Sequence, residues 1–289
     1  MKNIGWEDLQ VFFHVAQTGG LSGAARELGL SAATIGRRML ALEQKTGMTL
    51  FARSQSGYAL TPEGTALLHR VRAMQAAARP VEQLLSPEAN RPVVRLSAGT
   101  ATAHFLAGEF RELTRPGDPF VLNFVTTEAV LDIAHREVDL GIRNRPAEAG
   151  NLASLKLGTL RFAPYRSRSV PRPDLLEWVS MDEAHARHPA ARWLLDEDVP
   201  VSVWANTVAT VQELVRAGAG IGVMPCMIGD RDPSLARAGD LIEALTETQY
   251  LVMHDDDRHQ PHLRSVISRL SAVYAAHAGL LAGDRPLRN

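Results

Sequence analysis

Cysteine is almost missing. Cys226 is the single one in 289 residues, so no disulfide can form within the chain, which suits a reducing compartment. An excess of charge is missing too: 31 basic residues against 32 acidic ones leave a net charge of −1. A chain coated by nucleic acid would be strongly basic, so any contact with a polyanion must come from a local patch. No apolar run reaches the length of a membrane span. The opening MKNIGWEDLQ carries Glu7 and Asp8 where the apolar core of a signal peptide would begin. The expectation is a soluble, cytoplasmic protein.

Recognisable catalytic strings are also absent. There is no G-x-S-x-G, no H-E-x-x-H, and no Walker or Rossmann glycine pattern. No nucleophile–base pair stands out, so an enzyme is not expected and no cofactor is implied. His254, Asp255, Asp256, Asp257, His259 and His262 resemble metal ligands, but their spacing fits no structural zinc pattern. They read as charges of a solvated loop, with no metal. Cys226 lacks a resolving partner for redox sensing and reads as an apolar filler after a strand.

What is present is ordinary globular material, 45% hydrophobic and 22% charged, in a chain longer than one core usually serves. Two domains are the default. The first is legible. Leu9, Phe12, Phe13 and Ala16 recur at helical spacing until Thr18-Gly19-Gly20 stops them. Ser22 stands as the N-cap of a second short helix, Gly29 supplies a turn with Leu30 as a core plug, and Ser31 caps a third helix with stripe Ile35, Met39, Leu42. Thr49 to Leu60 reads as a small hairpin about Ser54-Gln55-Ser56-Gly57. This is the layout of a winged helix-turn-helix, a reader of double-stranded DNA. Ala32, Thr34, Arg37 and Arg38 lie off the apolar stripe. Thr34 offers a hydroxyl and a methyl to base edges, and either arginine can fork onto guanine or phosphate. Two arginines on a solvated helix face are the plainer alternative. Arg53 and Tyr58 would stand on the wing, with packing beneath it equally open for Tyr58.

Residues 4 to 64 resemble the N-terminal domain of LysR-type transcriptional regulators. The resemblance rests on the Leu9 to Gly19 helix, the turn SGAARELGLS, and the run LALEQKTGMTLFAR…LTPEG. Ala32-Ala33 stands where the family usually has Gln-Pro, and Gly36 where it often has Ser. The family's usual operator preference is therefore not carried over.

Thr61-Pro62-Glu63 starts a helix by capping, fixed φ and dipole. Leu67, Val71, Met74, Ala78, Val81 and Leu85 then form a heptad-like seam. The seam argues for a dimer, with packing on the chain's own second domain as the alternative. Pro80 should kink or end this helix near Arg79. The boundaries expected are 1–64 for the reader, 65–91 for the linker helix and hinge, and 92–289 for the second domain.

In that second domain strands and helices alternate. Strands are expected at Val93–Ser97, Phe120–Val125, Val138–Ile142, Val201–Trp204, Gly220–Pro225 and Gln249–His254, and helices at Ala103–Leu113, Ala129–Arg136, Thr207–Ala217 and Leu263–Ala276. Such alternation implies parallel strands with crossovers. Ligands of open α/β sheets sit beyond strand carboxyl ends. Three such ends carry Ser97, Thr100 and Thr102; Thr126 and Thr127; and Asn206. They could hold a carboxylate through hydroxyls and backbone N–H groups, or be ordinary N-caps.

The LysR resemblance continues more weakly in VDLGIR, VQELVRAGAGIGVMP and YLVMHDDDRHQPHLRSVISRL. It implies an α+β multi-domain chain whose C-terminal part is a two-lobed α/β, periplasmic-binding-protein-like sensor. The two crossings between lobes would fall near Phe162–Tyr165 and near His254–Asp257. The cleft would be lined by Ser97, Thr100, Thr102, Thr126, Thr127, Asn206 and Arg143, and would take a small effector, an organic acid by its donors. Implied partners are operator DNA, the effector and a second copy, as homodimer or homotetramer, with RNA polymerase as a further candidate. A constitutive DNA binder with a non-sensing α/β domain, or an enzyme on this scaffold, are the competing classes.

Overall fold

The first helix, α1 (Trp6–Thr18), buries Leu9, Phe12 and Phe13 against α2 (Leu21–Leu28) and α3 (Ala32–Thr46). The structure is a computed structural model that describes residues 4–54, 57–85, 91–126, 133, 137–148, 150–186 and 188–284. Gly29 adopts φ 64° between α2 and α3, a left-handed turn that only glycine enters without strain. Strands β1 (Phe51–Ser54) and β2 (Gly57–Leu60) pair antiparallel as the wing. Helix α4 (Pro62–Leu85) follows, with the Thr61 hydroxyl accepting from the Gly64 backbone N–H at 2.9 Å. A Cβ on Gly64 would lie 2.1 Å from the Leu50 carbonyl oxygen, so the wing and α4 can approach only over glycine.

Four details differ from the expectation. Ser22 is not a cap: α2 begins at Leu21 after extended Gly20, and Ser22 is an exposed first-turn residue. Leu30 is 38% exposed and plugs nothing. Pro80 does not end α4, which runs on to Leu85. The first part of the α4 seam is turned inward, because Val71 is fully buried and Leu67 packs on the N-terminal core, whereas Met74 is 47% exposed.

The chain divides into two compact units, one of Met1–Ala89 with His135–Glu137 and the other of Asn90–Ala134 and Val138–Asn289. The second unit has two lobes. In the first lobe a five-stranded sheet has the order β4-β3-β5-β12-β6, from β3 (Val93–Ala98), β4 (Val121–Thr126), β5 (Leu140–Arg143), β6 (Leu152–Leu160) and β12 (Glu247–His254). Its faces carry α5 (Thr100–Gly108), α6 (Phe110–Leu113) and α10 (Pro261–Ala276), around Leu96, Phe105, Leu140, Leu251 and Tyr274. The second lobe holds the three-stranded sheet β10-β7-β11, of β7 (Phe162–Ser167), β10 (Gly222–Pro225) and β11 (Leu235–Arg237). Beside it lie β8 (Trp178–Met181) paired with β9 (Val201–Ala205), and helices α7 (Pro189–Asp196), α8 (Val208–Arg216) and α9 (Cys226–Gly229). The short α11 (Ala278–Leu281) closes the chain on β6, where the Arg161 N–H donates to the Leu281 carbonyl at 3.0 Å.

The parallel sheet is only partly realised. β3 pairs parallel with β4 and β5, but β12 runs antiparallel to β5 and β6, and β7 antiparallel to β10 and β11. The reason lies in strands the sequence pattern does not announce: β6 and β7 carry the chain out of one sheet and into the other with only Arg161 between them. The first crossing thus falls at Arg161. The second is not at His254–Asp257, since all of β12 already lies in the first-lobe sheet. The return occurs between Arg237 and Glu247, where the Ile242 N–H donates to the Phe162 carbonyl beside the outward crossing. The helix expected at Ala103–Leu113 breaks into α5 and α6 at Glu109. The helix expected at Ala129–Arg136 falls largely outside the described residues. No helix among the described residues is long and apolar enough to cross a membrane.

Candidate nucleic-acid interface and interlobe cavity

Helix α3 presents its N-terminal turn outward because Ile35, Met39 and Leu42 are buried and define the opposite face. Ser31 caps that turn, its Oγ accepting from the Thr34 backbone N–H at 3.1 Å. The same Oγ lies 2.9 Å from the Thr34 hydroxyl, which is therefore already engaged. Ala32 is half-buried and Arg37 is exposed. The Arg38 guanidinium leans back toward Glu7 of α1 at 4.0 Å, a half-exposed pair of small energetic weight. Of the two arginines, Arg37 is the one that projects from the helix. On the wing, the Tyr58 ring meets Phe51 edge-on at 5.6 Å and joins the N-terminal core, the packing alternative rather than a free probe. Arg53 pairs with Tyr58 in the wing register, and its side chain lies outside the described residues. The wing is anchored by Glu43 of α3, whose carboxylate accepts from the Leu50 and Phe51 backbone N–H groups at 2.8 and 3.3 Å.

In the second unit a cavity of about 870 Å³ lies between the lobes. Its walls are mostly apolar, with Ile142, Leu152 and Leu160 from the first lobe and Val179, Met181 and Val211 from the second. Of the residues expected in a cleft, Thr100, Thr102 and Arg143 line it. Ser97 is behind it, 2% exposed, its Oγ 3.4 Å from both Arg143 terminal nitrogens. Arg143 also donates to the Ile142 carbonyl at 3.0 Å, so the guanidinium is held at the end of β5. Burial lowers its pKa from the ordinary arginine value. Arginine's proton affinity is so high that it stays charged in neutral water. The Thr102 hydroxyl accepts from Gln249 Nε2 at 3.2 Å, and Gln249 Oε1 accepts from the Tyr274 hydroxyl at 2.6 Å.

Two expected cleft residues stand elsewhere. Thr126 and Asn206 are exposed and not part of the cavity lining. Thr127 lies outside the described residues. At the third strand end the capping alternative holds for Thr207, which caps α8 by accepting from the Thr210 N–H at 3.2 Å. Several lining residues escaped the sequence reading: Glu247, Gln249, Asn144, His188 and Gln212. Glu247 accepts from Asn144 Nδ2 at 2.7 Å, and burial raises its pKa above the ordinary carboxylate value. Asn144 and His188 fall between Ile142 and Val201, where the sequence pattern announces no element. Gln249 and Gln212 sit in a strand and a helix whose existence was expected but whose inward faces were not, and Glu247 opens β12 two residues before the expected strand start. No group of three or more metal-ligating side chains occurs among the described residues.

Residues 6–65 match the lysR family of bacterial regulatory helix-turn-helix proteins, and residues 87–275 match the LysR substrate binding domain. The chain belongs to the LysR family. Among curated relatives it is similar to the HTH-type transcriptional regulator CrgA of Neisseria meningitidis, 28% identical over 59% of this chain and 56% of that one. It is likewise similar to the Mau operon transcriptional activator of Paracoccus denitrificans, 29% identical over 59% and 61%. The matched part thus spans about six-tenths of those relatives' length. Among solved LysR-family folds, that of full-length CbnR complexed with its target DNA superposes with a TM-score of 0.63, at 16% identity over 93% of this chain and all of the other. ArgP from Mycobacterium tuberculosis gives 0.62 at 15%, over 94% and 98%.

Proposed function

We propose that this LysR-family chain is a cytoplasmic transcriptional regulator, not an enzyme, whose N-terminal unit binds an operator and whose second unit senses a small organic acid. The observation that carries the sensing half is Arg143. A guanidinium fixed by Ser97 at the end of a central strand opens on a largely apolar cavity, and a carboxylate with an apolar body is the complement of that surface. Thr100, one residue past Gly99 at the start of α5, adds a hydroxyl and the helix N-terminus to the same end. The DNA half rests on the outward turn of α3, with Arg37 and Thr34 as base-edge or phosphate contacts. Arg38, Arg53, Ala32, Ser31 and Ser22 are the accompanying DNA contacts proposed.

Acid bound across the cleft favours one closure of the lobes, which biases how two copies pair and so how the DNA-reading units are presented. A ligand shifts such an equilibrium only by binding the two states unequally. A homodimer or homotetramer and RNA polymerase complete the proposed partners.

The test uses two variants of the full chain against a panel of carboxylic acids and duplexes selected from a random pool. Arg37→Ala is expected to weaken duplex binding by roughly tenfold and to leave acid-induced thermal stabilisation intact. Arg143→Gln is expected to do the reverse. Undiminished duplex affinity in Arg37→Ala sinks the α3 assignment, and a full acid response in Arg143→Gln sinks the cleft assignment.

A further inference from the structure

The second-lobe wall of the cavity contains a donor with nothing to bond. Gln212 of α8 lines the cavity and is 3% exposed, and its Nε2 has no hydrogen-bond partner among the described residues. A buried amide N–H left unpaired carries the full desolvation penalty of that group, and native chains rarely keep one without a use for it. Val179, Val208, Val211 and Met224 of the same wall offer no side-chain acceptor, and its polar side chains, Ser180 and His188, make no hydrogen bond to that nitrogen. The first lobe supplies a charged donor, the Arg143 cation seated on Ser97. Gln212 and Arg143 therefore belong to different lobes of a largely apolar cavity.

We propose that Gln212 is a specificity-determining residue, and that the ligand is a two-ended organic acid. Its carboxylate faces Arg143, its body is apolar, and an uncharged acceptor, a ketone or other carbonyl oxygen, receives the Gln212 Nε2–H. This rests on the reading of the cleft as the effector site and narrows it. Arg143 selects for the acid. Gln212 selects among acids, because one lacking the second acceptor buries the amide unpaired. Sites built to hydrogen-bond a substrate group reject analogues lacking it far better than apolar pockets sort by size. A two-ended ligand also ties the lobes together, which a simple acid held on the first lobe alone does not.

The experiment is isothermal titration of the full-length protein and its Gln212→Leu variant with matched acids that differ by a methylene replaced with a carbonyl. The pairs are pentanoate and levulinate, phenylbutanoate and benzoylpropanoate, and para-ethylbenzoate and para-acetylbenzoate. For at least one pair the oxo acid is expected to bind the unmodified protein about tenfold tighter or more. Gln212→Leu is expected to erase that gap without weakening the plain acid. A gap absent from every pair that binds, or one that survives in Gln212→Leu, overturns the inference and leaves the cleft reading standing. Absence of binding by all six acids overturns both. Melting of the ligand-free variant is an independent check: unchanged or raised stability is expected, and a fall of several degrees would mean that Gln212 serves a bond within the protein, which also overturns the proposal.

Discussion

Burial pushes the pKa of a carboxylate up, and whether it stays up depends on the partner that each group faces. Asp118 is 9% exposed and receives two bonds from Arg269, at 2.5 and 2.7 Å, and one from the Arg115 backbone N–H. The Arg269 hydrogen bond is the largest cause that holds its pKa at about 2. A depressed carboxylate stabilises the fold above its ordinary pKa, and that contribution is lost as pH falls through about 2. Asp118→Asn should therefore lower unfolding free energy by about 2 kcal/mol at neutral pH, and urea melts should show the difference shrinking below pH ~3. Glu247 is the reverse case. Desolvation raises its pKa, so the folded state binds its proton more readily than the unfolded chain and loses stability as pH rises past the ordinary carboxylate range. Glu247→Gln keeps an acceptor for Asn144 and should raise the melting temperature at mildly alkaline pH but not at acid pH. An equal effect at both ends would remove Glu247 from the titrating groups of the cavity.

Helix α4 shows how one element divides its surface. Its apolar residues repeat with a seam spacing, yet Val71 is wholly inside the N-terminal core while Met74, less than one turn on, is 47% exposed. Periodicity reports which positions are apolar and not what covers them. If the outer part of α4 pairs with a second copy, as proposed, Met74→Glu should shift sedimentation toward monomer with little change in melting temperature. Val71→Glu should instead destabilise the N-terminal unit, since it buries an unpaired charge. Pro80 sits within the same helix without ending it. Losing one backbone donor and crowding one carbonyl costs about 3 kcal/mol, and the helix runs on past it nonetheless.

For the whole molecule, the proposed function makes a thermodynamic demand. If acid changes affinity for the duplex by some factor, the duplex must change affinity for the acid by the same factor. Titrating levulinate or the best-binding acid into the protein, with and without saturating selected duplex, should give ratios equal to the change in duplex affinity measured with and without acid. Identical acid affinity in both states would leave a binder whose cleft does not speak to its DNA-reading unit.

Local chemistry alone determined much of this chain. The third helix and its Ser31 cap, the Gly29 turn, the wing pairing and the Thr61 start of α4 each depend on residues close in sequence, and each is legible there. So were β3, β4, β9 and α8 to within a residue or two, and the role of Arg143 as a cation at a strand end. What tertiary structure decided is which neighbours face each other across the fold. Thr126 and Asn206 are polar strand-end residues like Thr100, yet neither lines the cavity. Nothing in the local sequence of Gln249 or Gln212 announces a cavity role, yet one holds Thr102 and the other stands in the cavity wall. The second crossing moved ahead of β12 because strand direction is set by partners distant in sequence, and β6 and β7 show no alternation that would have announced them. A cleft between lobes is made of long-range pairings, and those lie beyond the reach of spacing and propensity.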